Sequence, residues 1–258
     1  INLTWNSYIT RKTPKDIYMI FNTDKQTIRD LELFTDRKKD KCIYSIFNRT
    51  STEGGQETLF EMLNGPVSDV DFLQNRKAEI NFFFINNCHI KLQSRQIDYI
   101  EYYLRNRRFP LRDNIIDATF NGLSNKFTPD SDYYTISEGI YHIIKLLIDL
   151  DLFIKDAKSF LLPETLEKDF EKIKKVTVSK KLKEVLSNPP KQVKDLSFSQ
   201  INNLDRFFRV TNKDSFRELL ITVYKIDVLQ ALSQIMKTDG FTLPEYCTES
   251  QPVFEVLD

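Results

Sequence analysis

The stretch Asn48-Arg49-Thr50-Ser51-Thr52-Glu53-Gly54-Gly55-Gln56-Glu57-Thr58-Leu59-Phe60-Glu61-Met62-Leu63-Asn64-Gly65-Pro66-Val67 holds a helix start, a helix and a helix stop in quick succession. Thr50 and Glu53 stand three residues apart in the capping-box pattern, where a hydroxyl and a carboxylate bond reciprocally to the free amides of a first turn. Gly54 and Gly55 follow at once. Each glycine weakens a helix by roughly 1 kcal/mol relative to alanine, so the pair predicts that another backbone or side chain comes close at that turn. Leu59, Phe60, Met62 and Leu63 supply an apolar face, and Asn64-Gly65-Pro66 ends the helix.

These residues resemble the core domain of the MutS family of DNA mismatch-repair ATPases, whose consensus runs Asp-Arg-Thr-x-Thr-x-x-Gly-x-Arg-x-Leu-x-x-Trp-Leu-x-x-Pro-Leu. Arg49, Thr50, Thr52, Gly55, Leu59, Leu63 and Pro66 fall on matching positions, and Asp69, Leu73 and Arg76 continue the match. Asn48, Glu57 and Met62 depart from the consensus aspartate, arginine and tryptophan, as in a divergent branch. Asp24-x-x-Thr27-Ile28-Arg29-x-Leu31-Glu32-Leu33 is similar to the family's lead-in. Asp227-Val228-Leu229-Gln230-Ala231-Leu232, with Gly240-Phe241-x-x-Pro244, is similar to its return toward the ATPase domain. The resemblance covers about residues 24–90 and 214–258.

Composition is compatible with a helical protein. A chain of 258 residues with 41% hydrophobic and 12% aromatic content can bury a core of one large or two modest domains. Only six glycines disfavour a turn-rich β fold. The formal net charge is zero, so nucleic acid would have to be met by a local patch rather than by a global field. Cys42, Cys88 and Cys247 lack metal-ligand spacing and read as reduced buried thiols, which points to a cytoplasmic protein. The apolar run Ile140–Ile154 is interrupted by Lys145, Asp149 and Asp151, unlike a membrane span. No charged leader precedes an apolar stretch at the start. With Ile1 first and Asp258 last, the expectation is an excised part of a longer protein.

Lys15 to Phe21 is aromatic and β-branched and predicts a short extended segment. Helices are predicted from Ser68 through Phe84, from Gln93 to Asn106 and from about Asp132 to Phe160, the last with Ile136, Ile140, Ile143, Ile144, Leu147, Leu150 and Ile154 on its apolar side. Another runs from Pro163 to about Leu186. A second long helix runs from about Asp214 to Lys237 with Phe216, Leu219, Leu220, Val223, Ile226, Leu229 and Leu232. The resulting fold class is mainly α: a helical MutS-like core with two long antiparallel lever helices and a short N-terminal extended segment. The expected divisions are a lead-in at 1–36, a helical core at 37–130, levers with a reduced clamp-like tip at 131–238, and the start of a connection to an ATPase domain at 239–258.

Chemistry-bearing groups are few. Lys172, Lys174, Lys175, Lys180, Lys181 and Lys183 form the densest basic patch and are the candidate DNA contacts, although acidic neighbours from Glu164 to Glu184 make a solvated surface the plainer reading. Arg105, Arg107, Arg108 and Arg112 lie beside Tyr102, Tyr103 and Phe109, a mixture that can stack on bases, although cations at a helix end and aromatics in a core are the stronger reading. His89 and His142 have no metal-site spacing, and His142 reads as a packing residue. No Gly-x-x-x-x-Gly-Lys-Ser/Thr loop or catalytic triad motif occurs, so no catalytic, cofactor or metal site is expected in this chain. The resemblance places ATP and magnesium in a further domain and implies weak non-specific DNA contact, a homodimeric parent and no membrane. A helical protein-interaction scaffold without DNA binding is the alternative.

Overall fold

A computed structural model describes residues 24–35, 41–105 and 131–246. The predicted extended segment at Lys15–Phe21, together with Arg107, Arg108, Phe109, Arg112 and Cys247, lies outside the described residues. Within them the architecture is helical without strands: α1 (Lys25–Asp30), α2 (Ile43–Phe47), α3 (Glu53–Asn64), α4 (Val70–Asn86), α5 (Ser94–Arg105), α6 (Ser131–Ala157), α7 (Glu164–Thr177), α8 (Lys180–Ser187), a 3-10 turn (Val193–Asp195), α9 (Phe198–Arg206), a π turn (Phe207–Thr211) and α10 (Lys213–Asp239). The chain divides into two compact units. One holds residues 1–88, 162–166 and 225–258, and the other 89–161 and 167–224.

In the first unit the core gathers Leu59 from α3, Ile80, Phe82 and Phe83 from α4, and Ile226, Val228, Leu229 and Ile235 from α10. Two polar links tie α4 to α10. Lys225 Nζ donates to the buried Glu79 at 2.5 Å, and Lys237 Nζ donates to Asn87 Oδ1 at 2.8 Å. Aromatic side chains line one edge, where Phe60 stands 4.3 Å from Phe34 and 6.1 Å from Tyr44, ring centre to ring centre.

In the second unit α5 packs chiefly on α6, which also meets α8, α9 and the 3-10 turn. All seven apolar residues predicted for the long helix, from Ile136 to Ile154, are buried. At 27 residues α6 spans roughly 40 Å. α10 has the same length and contributes 213–224 to this unit and 225–239 to the other. By length and mean hydropathy α10 alone among the described residues resembles a membrane span, yet 72% of that stretch is buried inside protein. Of its seven predicted core positions six are buried, and Leu232 is half-buried.

Two expectations need correction. The helix predicted from Pro163 to Leu186 is two helices, broken at Val178–Ser179. Thr177 and Val178 are β-branched and lose rotamer freedom in a helix, and Ser179 takes the N-cap position of α8. The helix after Asn48 is capped by Thr52, not by a Thr50/Glu53 box. The Thr50 hydroxyl instead donates to Asn48 Oδ1 at 2.7 Å, and Glu53 becomes the first helical residue.

Candidate functional site

Thr52 has extended backbone just before α3, and its hydroxyl oxygen accepts from Gly55 N–H at 2.9 Å, closing the first turn. That turn is occupied from outside the helix. Ser51 N–H donates to Asp227 Oδ1 and Oδ2 at 3.0 and 3.1 Å, Thr52 N–H to Oδ2 at 2.9 Å, and the Thr52 hydroxyl to Oδ2 at 2.7 Å. The carboxylate therefore sits at the positive end of α3, where free amides and the helix dipole favour an anion. Thr52 and Asp227 are 1% and 2% exposed, so the pairing is shielded from water.

Gly55 makes this possible. A Cβ there would stand 2.3 Å from Asp227 Oδ2 and 2.9 Å from Thr52 Oγ1, so a side chain would force the carboxylate to shift. The close approach predicted from Gly54-Gly55 is real, and its partner is the acidic residue of the segment similar to the family's return. Nothing in the sequence pattern alone assigns Asp227 this role. The missed signal is a lone carboxylate flanked by Ile226 and Val228 in the apolar stretch of a helix.

The other residues that carry the resemblance have simpler places. Arg49 is exposed and pairs with Asp239 at 3.3 Å. Leu59 is in the core, Leu63 and Pro66 are half-buried, and α3 stops at Asn64 as the Gly65-Pro66 pair predicts. Arg76 lies over the Phe72 ring at 4.7 Å, and burial pulls its guanidinium below its ordinary value.

The second unit contains a charge centre that sequence reading missed. Asp205 is fully buried and receives Arg209 Nε and a terminal Arg209 nitrogen, each at 2.6 Å, and Tyr103 O–H at 2.9 Å. Arg209 is one turn on, at the π turn, with its guanidinium 5.4 Å from the Tyr103 ring centre. Gly139 of α6 leaves room for that ring, because a Cβ would stand 2.2 Å from Tyr103 Cβ. Burial, reinforced by the Asp205 charge, pushes the Tyr103 phenol well above its ordinary value and keeps it a donor. Tyr224 likewise donates to the buried Glu101 at 2.6 Å, and Glu101 also holds Arg105 at 2.7 Å.

The predicted basic patch spans α7 and α8. Lys172 pairs with Asp169 at 2.8 Å, and Glu171 is engaged by Lys158 at 2.8 Å. Lys175 and Lys183 are exposed and Lys174 is half-buried; the side chains of Lys180 and Lys181 lie outside the description. Lys183 borders a groove of about 250 Å³ floored by Leu147, Ile148, Leu152 and Leu186. Of the arginine and aromatic group, Tyr103 is core, Tyr102 is exposed and Arg105 is bound to Glu101. His142 stacks on Tyr99 at 4.8 Å, with Glu138 3.7 Å away. Burial lowers its pKa, against a partial rise from Glu138. No cluster of three metal-ligating side chains exists among the described residues.

Compared with models of known protein families and with curated proteins, the chain matches none.

Proposed function

We propose that the chain is the core and lever module of a MutS-like protein, coupling DNA contact to an ATPase domain that lies outside residues 1–258 and would carry ATP and magnesium. The single observation that supports this reading is the Thr52–Gly55–Asp227 junction. The resemblance rests on two segments far apart in sequence, and the geometry joins them 175 residues apart by a direct hydrogen bond. The glycine and the second threonine of the motif have specific work there, one giving clearance and the other bonding both the carboxylate and the helix.

On this reading the module works by conformation rather than by chemistry. Nucleotide state in the ATPase domain biases the arrangement of α6 and α10 as antiparallel levers, and DNA contact biases the same equilibrium reciprocally. Lys174, Lys175, Lys180, Lys181 and Lys183 contact phosphates without reading sequence, and the parent protein is a homodimer in the cytoplasm. A scaffold that binds protein rather than DNA is the second reading, favoured by the pairing of Lys172 with Asp169, which neutralises one lysine of the patch.

Fluorescence anisotropy with labelled duplex and branched DNA separates the two. The DNA reading expects weak binding that falls by about 0.9 log units per log unit of salt for each phosphate neutralised. Changing Lys174, Lys175, Lys180 and Lys181 to glutamine lowers both affinity and slope. Absence of binding at low salt rejects DNA contact by this chain and leaves the scaffold.

A further inference from the structure

We propose that Asp227 is a detachable latch: its carboxylate is a ligand held by the 48–55 segment, which releases it while the rest of the first unit stays folded. The inference needs only the geometry and does not rest on the MutS-like reading. Every described contact to the carboxylate is an N–H or O–H donor from Ser51 or Thr52. Water can take the place of such donors one bond at a time as the turn opens, so that the charged carboxylate is not left without a partner. The exchange has a route to solvent, because Ser51, Glu53 and Gln56 are exposed around the buried Thr52 and Gly55.

The latch is also separable from the other anchors of α10. Lys225 bonds Glu79 and Lys237 bonds Asn87, and these fasten α10 to α4 and its C-cap rather than to α3. Opening the latch therefore releases Ser51 and Thr52 from Asp227 without freeing α10 from α4, and the exposed Arg49–Asp239 pair is another tie between the 48–55 segment and α10. The donors keep their arrangement when the carboxylate leaves, because Gly55 N–H still holds the Thr52 side chain.

Amide hydrogen exchange on the full chain and on Asp227→Asn and Asp227→Gly tests this. Asparagine turns an N–H₂ toward groups that are themselves donors, and glycine removes the ligand altogether. The expected result is exchange at Ser51 and Thr52 faster by at least about tenfold, with the amides of Gly55 and of Ile80–Phe83 changed by less than about twofold, as for a local opening. Excess sodium formate, a free carboxylate, restores protection at Ser51 and Thr52 in Asp227→Gly, and sodium chloride at equal ionic strength does not. If Asp227→Gly does not fold, Thr52→Val, which removes one donor to the carboxylate and the acceptor of the Gly55 N–H, is expected to speed exchange at Ser51, Thr52 and Gly55 while sparing Ile80–Phe83. Protection lost equally across α4 in any folded variant, or formate acting no better than chloride, overturns the latch.

Discussion

Asp227 in the first unit and Asp205 in the second are both carboxylates withdrawn from water, at 2% and 0% exposure, and they are satisfied by different means. Asp227 is held by backbone amides and a hydroxyl at a helix start, in a space that exists only because residue 55 has no side chain. Asp205 is held by a forked guanidinium and a phenol, all supplied by side chains. The first arrangement depends on backbone shape, and the second on charge. They should therefore fail differently: the first to an added methyl group, the second to a lost cation.

The largest expected effect is on the charge side. Arg209→Met leaves Asp205 buried without its cation and should cost about 3 to 5 kcal/mol, read from urea unfolding. Adding Asp205→Asn should recover part of that loss, since the amide still accepts from Tyr103. A single-variant loss below about 1 kcal/mol would mean that the pair is not buried in solution. Next in size, Leu59→Ala should cost about 2 to 5 kcal/mol as a core truncation, and the half-buried Leu63→Ala distinctly less. Equal losses would show that α3 is rotated from the described orientation.

Gly55→Ala should cost about 1 to 3 kcal/mol, as overpacking does, although alanine is the better helix former. A stabilised Gly55→Ala would show that Asp227 does not occupy the turn. His142 gives a smaller effect with a definite sign. Burial lowers its folded pKa below the ordinary 6.5, so the unfolded chain takes up the proton first as pH falls. Its contribution is fully present above the ordinary imidazole value and is lost as pH drops toward the lowered folded value. Wild type should lose stability over that window relative to His142→Gln, and identical pH profiles would contradict the burial. Smallest of all, Lys174→Gln and Lys175→Gln should change stability by no more than about 0.5 kcal/mol.

The contrast also explains what could be read beforehand. Paired glycines in a first helical turn are costly enough to announce a close contact, and the seven-residue apolar stripe of α6 is regular enough to announce a buried face. Asp205 and Arg209 gave no such sign. An acid and a base four apart on a helix look the same whether solvated or buried, and Gly139 is a single glycine inside a long apolar helical pattern. The cap was misread by two residues because Thr50, Ser51 and Thr52 are all capable of capping, and the choice is made by Asp227, far away in the chain. The break at Val178 was missed because the run of lysines on either side is equally at home in one helix or two. The basic patch was legible as charge but not as pairing, since Lys158 reaches Glu171 from another helix's end.

The most direct test of the joined site is a double-mutant cycle between Thr52→Val and Asp227→Asn, measured by equilibrium unfolding. Groups that share a buried hydrogen bond are coupled by about 0.5 to 3 kcal/mol, and distant ones add within about 0.5 kcal/mol. The predicted result is a coupling of at least about 1 kcal/mol, with the double variant less destabilised than the sum of the two singles. Additive losses would show that Thr52 and Asp227 do not meet, and the junction that supports the functional proposal would be gone.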